Sequence, residues 1–319
     1  MVAALAGFAA PASADPPRLT IDKELAALAR QTALPASGID AFMPSLRAAC
    51  AATGDAGARF IVTSHAPGRA EQAACAATLT VIPVAREAVL LHAPIGTRLT
   101  SLTPAQIFLA VAASARGSTG PAPAQWSEID AQLPAVPIAI MLPPAGSAAA
   151  QLFDRLILEP GCIAATNPRA VPFAAAARAA LCSTPRIAPA IRRRDDTGGS
   201  DQIATWLAAA GPGAVAVIAL PELRALGGQG HVIALGDVLP TAQNVALGTY
   251  TAARDIRLVI VLPRDTAAAS RSGAMELSFA LTAEQSIGPS GTFVAAGLSS
   301  LSAAARVAAR DAAFSALER

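Results

Sequence analysis

The sequence predicts an α/β fold, and three observations carry that prediction. Short apolar runs of strand character recur along its 319 residues, and helix-length, alanine-rich segments separate them. The hydrophobic fraction is 53%, yet no run of roughly 18 strongly apolar residues appears, which points to a packed core rather than a membrane span. In chain order the pattern predicts helices over 22–31 and 44–52, a strand over 60–64, a helix over 70–77, and strands over 79–84 and 88–91. A helix over 103–113 follows, opened by the capping residue Thr103 and by Pro104 in its first turn. Residues 115–125, rich in Gly, Pro and Ser, read as a surface loop. A strand over 136–141 leads through a Gly146–Ser147 turn into a helix over 148–158; a helix over 200–210, strands over 214–220 and 256–262, and a helix over 300–317 complete the order.

The charge balance adds little. The formal net charge is +2 and Lys23 is the only lysine, so nothing predicts attraction to nucleic acid or to a membrane surface. The opening apolar stretch ends in Pro11 and then Ala12-Ser13-Ala14, which reads as the end of a secretory signal over residues 1–14 and predicts export. Cys50, Cys75, Cys162 and Cys182 form two local pairs. They read as four buried thiols or, given export, as two disulfides, Cys50–Cys75 and Cys162–Cys182.

Several segments have a distinctive wording: Leu102-Thr-Pro-Ala-Gln106-Ile-Phe108, Trp126-Ser-Glu-Ile129, the strand running into Gly146-Ser147 with Phe153 six residues on, Pro240-Thr-Ala-Gln-Asn244, Gly248-Thr-Tyr250, and Gly288-Pro-Ser-Gly291 before Gly297-Leu298. In this order and spacing they resemble the periplasmic phosphate-binding proteins of phosphate ABC transporters, over roughly residues 47–301. The resemblance implies a type II periplasmic binding protein, two lobes each a sheet flanked by helices, with 15–86 plus 248–319 as lobe one and 87–247 as lobe two. It also implies capture of phosphate or a related small anion between the lobes, no cofactor and no metal, a monomer in the periplasm, and an ABC transporter permease as partner.

Two of the family's three ligand turns have counterparts. Thr63, Ser64 and His65 stand at one, where His65 reads either as a donor to an anion or as a surface residue capping a turn. Gly146, Ser147 and Ala148 stand at the other, but Pro143 occupies the position of the family's arginine, and Ala148-Ala149 that of a Gly-Thr pair. The turn thus lacks a guanidinium fork and a hydroxyl donor, which predicts weakened phosphate affinity. The family's first turn, Gly-Ser-Ser-Thr, has no counterpart after Leu19-Thr20-Ile21. A diverged envelope scaffold that acts through protein partners without a small ligand is the alternative reading.

The remaining polar features read as structural. Arg192-Arg193-Arg194 reads as an anion-binding cluster or, because Asp195 and Asp196 follow it, as a solvated loop. Ser200 and Asp201 suit helix capping, His92 a hydrogen-bonded core position, and His231 a loop. No nucleophile elbow surrounds Ser147 and no zinc-type histidine pairing occurs, so catalysis is not expected.

Overall fold

The structure, a computed structural model, describes residues 17–22, 25, 39–41, 58–73, 75, 77–113, 122–166, 171–172, 174–195, 199–263 and 268–318. The expected leader, the helices over 22–31 and 44–52, and Cys50 lie outside these residues or almost wholly so. Among the described residues the strands are β1 (Arg18–Ile21), β2 (Ile39–Ala41), β3 (Arg59–Thr63), β4 (Thr78–Ala93), β5 (Ser101–Leu102), β6 (Ala139–Leu142), β7 (Ile191–Arg193), β8 (Ala214–Ala219), β9 (His231–Leu235) and β10 (Ala253–Leu262). The helices are α1 (Arg69–Ala73), α2 (Pro104–Val111), α3 (Ala148–Phe153), α4 (Glu159–Ala165), α5 (Ala175–Cys182), α6 (Gly199–Ala209), α7 (Leu220–Ala225), α8 (Ala242–Leu247), α9 (Ala268–Thr282), α10 (Glu284–Ile287), α11 (Thr292–Ala295) and α12 (Ala303–Glu318).

β4 sets the architecture. The two strands expected over 79–84 and 88–91 are one strand of 16 residues. Its first part, up to Ala88, pairs with β10 in the order β2-β1-β3-β10-β4; its last part, from Val89, pairs with β8 in the order β4-β8-β6-β7. Within the first group β1, β2 and β3 are parallel, and within the second β6, β7 and β8 are parallel. Each half buries its own core. Leu19, Phe60, Ile82, Val84, Ile256, Ile260, Leu281 and Leu317 belong to one, and Val89, Leu91, Phe108, Trp126, Phe153, Val217 and Val245 to the other. Tyr250 and Ala252 pack with the second core, so the chain changes core between Ala253 and Ile256 on its return.

Local chemistry explains the element ends. Thr103 and Gln106 form a reciprocal capping box on α2, with Pro104 in its first turn. Thr241 caps α8, and Gly248 ends it in the left-handed conformation at φ 78°. β8 is a run of buried Ala, Val and Ile, as a parallel strand covered on both faces requires. α9 and α12 lie against the first half, with the rings of Phe279 and Phe314 6.0 Å apart. Between α3 and α4 the backbone passes through a π turn at Asp154–Leu158. His231 begins β9 and does not lie in a loop. Arg192 and Arg193 lie in β7, so the basic run is not the solvated loop that its sequence suggests.

Candidate functional site

The first candidate turn leaves the carboxyl end of β3. Thr63 and Ser64 are buried and His65 is exposed. The Thr63 hydroxyl donates to Asp22 Oδ2 (3.0 Å) and accepts the His65 backbone N–H (3.0 Å). The His65 ring meets Glu71 Oε2 through Nε2 at 3.0 Å, and the Gly68 N–H donates to the same oxygen at 2.9 Å. Those two bonds, the backbone one first, hold the Glu71 carboxyl below its ordinary range. Arg257 reaches this turn from β10: it donates to the Ser64 carbonyl at 3.5 Å while Nη2 lies 3.4 Å from Asp255 Oδ2.

The second turn leaves the carboxyl end of β6. Gly146 takes φ 74°, a conformation a β-carbon resists, and turns the chain so that Ser147 caps α3. The Ser147 hydroxyl donates to the Pro144 carbonyl (2.8 Å) and accepts from the Ala150 N–H (3.2 Å). Ala148 begins α3, half-buried. Thr63–Ser64–His65 and Gly146–Ser147–Ala148 are therefore each brought together, one group in each half of the molecule. The hydroxyls of Thr63 and Ser147 each already have an acceptor within the protein, Asp22 and the Pro144 carbonyl.

Beside the second turn stand charged groups, among them two arginines of the 192–194 run that reads in the sequence either as an anion-binding cluster or as a solvated loop. Arg193 Nη1 donates to the Pro143 carbonyl at 2.8 Å. Arg194 is 5% exposed; its backbone N–H donates to the Leu142 carbonyl at 3.0 Å, and its Nη1 lies 2.5 Å from Glu222 Oε1. Asp154, on the π turn, has its carboxyl pushed up to about 6 by burial, against the lowering field of Arg193. A run of three arginines before two aspartates carries no signal for which guanidinium turns inward.

The distinctive segments build the frame. Gln106 Nε2 donates to Asp130 Oδ2 (2.8 Å), Trp126 Nε1 to the Gly213 carbonyl (2.9 Å), and the Tyr250 hydroxyl to the Val89 carbonyl (2.9 Å), with both aromatic rings fully buried. Cys162 and Cys182 form a disulfide that ties α4 to the end of α5. Cys75 is also disulfide-bonded. His92 is buried with Nε2 2.5 Å from the Gln229 carbonyl oxygen, and burial holds its pKa below the ordinary histidine value. Ser200 and Asp201 occupy the first turn of α6. Among the described residues no cluster of three His, Cys, Asp or Glu could hold a metal ion, and no helix is long and apolar enough to cross a membrane.

Two sheets that share β4, each with a turn at the carboxyl ends of its parallel strands, are the architecture expected from the sequence. Residues 44–278, well over half of the chain, match the model of the PBP superfamily domain. The chain belongs to the PBP superfamily. The solved structures similar to it include the PstS protein of Borrelia burgdorferi, with 10% identity, a TM-score of 0.61 and coverage of 90% of this chain and 99% of that one. A possible phosphate binding protein from Planctomyces limnophilus has 12% identity and a TM-score of 0.61 over 96% and 100% of the two chains. An ABC-type phosphate transport receptor from Vibrio cholerae has 13% identity and a TM-score of 0.52 over 88% and 98%. At such identities the likeness is one of fold, the two-lobed α/β fold that the resemblance implied. No curated protein sequence matches the chain significantly.

Proposed function

We propose that this PBP superfamily protein is an exported, periplasmic solute-binding protein. In this reading it closes two lobes on phosphate or a related small anion, acts as a monomer, and delivers the anion to an ABC transporter permease. The lobe bounds expected from the sequence, 15–86 plus 248–319 and 87–247, fall within a few residues of the pivot, which lies where β4 and β10 change cores, at Ala85–Ala88 and Ala253–Ile256, so that Tyr250 and Ala252 go with lobe two. The observation that carries the reading is the position of the turns after Thr63 and Leu142 at the carboxyl ends of parallel strands, where open α/β sheets receive ligands. The solved phosphate-binding proteins named above share this fold.

Phosphate is held weakly in this reading. Pro143 can offer neither a guanidinium nor a backbone N–H, and the hydroxyl protons of Thr63 and Ser147 are directed to Asp22 and Pro144. A desolvated dianion must recover most of its hydrogen bonds from the protein. Calorimetric titration of ligand-free protein with inorganic phosphate is expected to give a Kd of about 1 μM or weaker; a submicromolar Kd would contradict the weakened site.

The same two committed hydroxyls favour one further reading, an envelope scaffold without a small ligand. It would hold if thermal-shift measurements with phosphate, sulfate and phosphonates showed no stabilisation while a protein partner was captured.

A further inference from the structure

The end of β7 carries a buried cation whose hydrogen bonds the fold leaves incomplete. The Arg194 side chain is 2% exposed. Nη1 reaches Glu222, but Nε and Nη2 have no hydrogen-bond partner among the described residues. Glu222 does not close the gap with a two-bond fork: its Oε1 meets Arg194 at Nη1, while its Oε2 accepts the Ala219 N–H at 2.7 Å. Nε and Nη2 are the two donors on one edge of a planar guanidinium, and that edge matches two oxygens of a single oxyanion. Leaving such a group buried without an acceptor is costly.

The position fits as well as the chemistry. Arg194 lies beside Leu142, the last residue of β6, and Glu222 follows β8. β6 lies between β7 and β8 in the sheet, so the Arg194 side chain passes over the carboxyl end of β6, where the Pro143–Ser147 turn departs. Arg193 is engaged with the Pro143 carbonyl.

We propose that Arg194 supplies the guanidinium of the anion site, presenting its Nε–Nη2 edge to two oxygens of a tetrahedral oxyanion from the strand next to the turn in which Pro143 offers none. The proposal rests on the anion-binding reading above and names the residue that would carry it. Glu222 acts as a positioning residue that fixes the rotation of the guanidinium.

The test titrates inorganic phosphate and sulfate into the full chain by calorimetry, with chloride as an ion that cannot bridge two donors. Arg194→Gln is expected to weaken oxyanion binding by about tenfold to a hundredfold. Arg194→Lys, which keeps the charge without the fork, should fall between Arg194→Gln and the unmodified protein, and Arg310→Gln should match the unmodified protein. In the unmodified protein the Arg194 Nε–H resonance should shift on phosphate addition and not on chloride addition, a readout that stands even if Arg194→Gln does not fold. Oxyanion binding with an unmoved Nε resonance, or unchanged in Arg194→Gln, would overturn the assignment of Arg194 and leave the anion-binding reading in place. If the unmodified protein binds neither phosphate nor sulfate, both fall together.

Discussion

Gly161 lies on α4 where that helix crosses α2. A β-carbon there would stand 2.1 Å from the Pro104 carbonyl oxygen and 2.9 Å from the Phe108 β-carbon. In an unobstructed helix, alanine would be favoured over glycine by roughly 1 kcal/mol. Here the overlap involves backbone, so the helices must separate and the sign reverses. Gly161→Ala is expected to lower the unfolding free energy by about 2–4 kcal/mol, read from urea denaturation; a neutral or stabilised variant would show that the crossing yields freely. The residues legible in the sequence are those governed by local rules, such as Thr103 with Gln106 at a cap or Gly248 at a helix end. The 192–194 run was legible as a possible anion-binding cluster, but Arg194 was not legible as its inward member, because its neighbours Arg193 and Asp195 are exposed and only the packing of β7 beside β6 turns it inward.

At the level of elements, β4 was expected as two strands, over 79–84 and 88–91, with the charged Arg86 and Glu87 between them, and the first of these contains Pro83. In the first half β4 has β10 on one side and, on the other, only a bridge from Arg86 to Ser299, so an exposed Pro83 sits on a sheet edge, where proline is tolerated. Arg86 and Glu87 meet partners from the return strand: Arg86 Nε lies 2.9 Å from Asp255 Oδ1, and Arg254 pairs with Glu87. A single sequence does not show which charges will find a partner across a sheet, and so the break was expected where the strand continues. The π turn after α3 poses a different test. The Asp154 carboxyl titrates at about 6, above its ordinary value, so between about pH 4 and 6 the folded state binds more proton than the unfolded one. Stability from this group is present at low pH and is lost as pH rises through 6. Asp154→Asn should therefore stabilise the protein at pH 7.5, by about 1–2 kcal/mol after allowance for solvent screening, and the gain should shrink towards pH 4.5. His92 contributes the opposite slope, since its lowered pKa penalises the folded state as pH falls below about 6.5, but it does so equally in both proteins and cancels in the difference. Parallel melts of the two proteins across that range decide the matter; a gain that grows on acidification would refute the assignment.

Over the whole molecule, two cores meet at two strands, and the question is whether they fold as one unit. Separate cores argue for two transitions. β4 argues for one, because the same uninterrupted strand places Ile82, Val84 and Ala85 in the first core and Val89, Leu91 and Ala93 in the second. Melting either end removes side chains from one core and frees the strand that supports the other. The junction is fastened further by the Glu87–Arg254 pair, by Arg86 donating to the Val245 carbonyl at 3.0 Å, and by Arg224 of α7 donating to the Val294 carbonyl at 2.6 Å. The aromatic residues supply a clean probe. Both tryptophans, Trp126 and Trp206, and the single tyrosine, Tyr250, pack with the second half, while helices lie on both. Tryptophan fluorescence therefore follows one half and far-ultraviolet circular dichroism follows both. If β4 couples the cores, the two signals should trace coincident denaturant transitions with equal midpoints and slopes. A dichroism transition that begins before the fluorescence changes would instead show the first half opening alone, with β4 and β10 acting as a flexible tether between independently folded lobes.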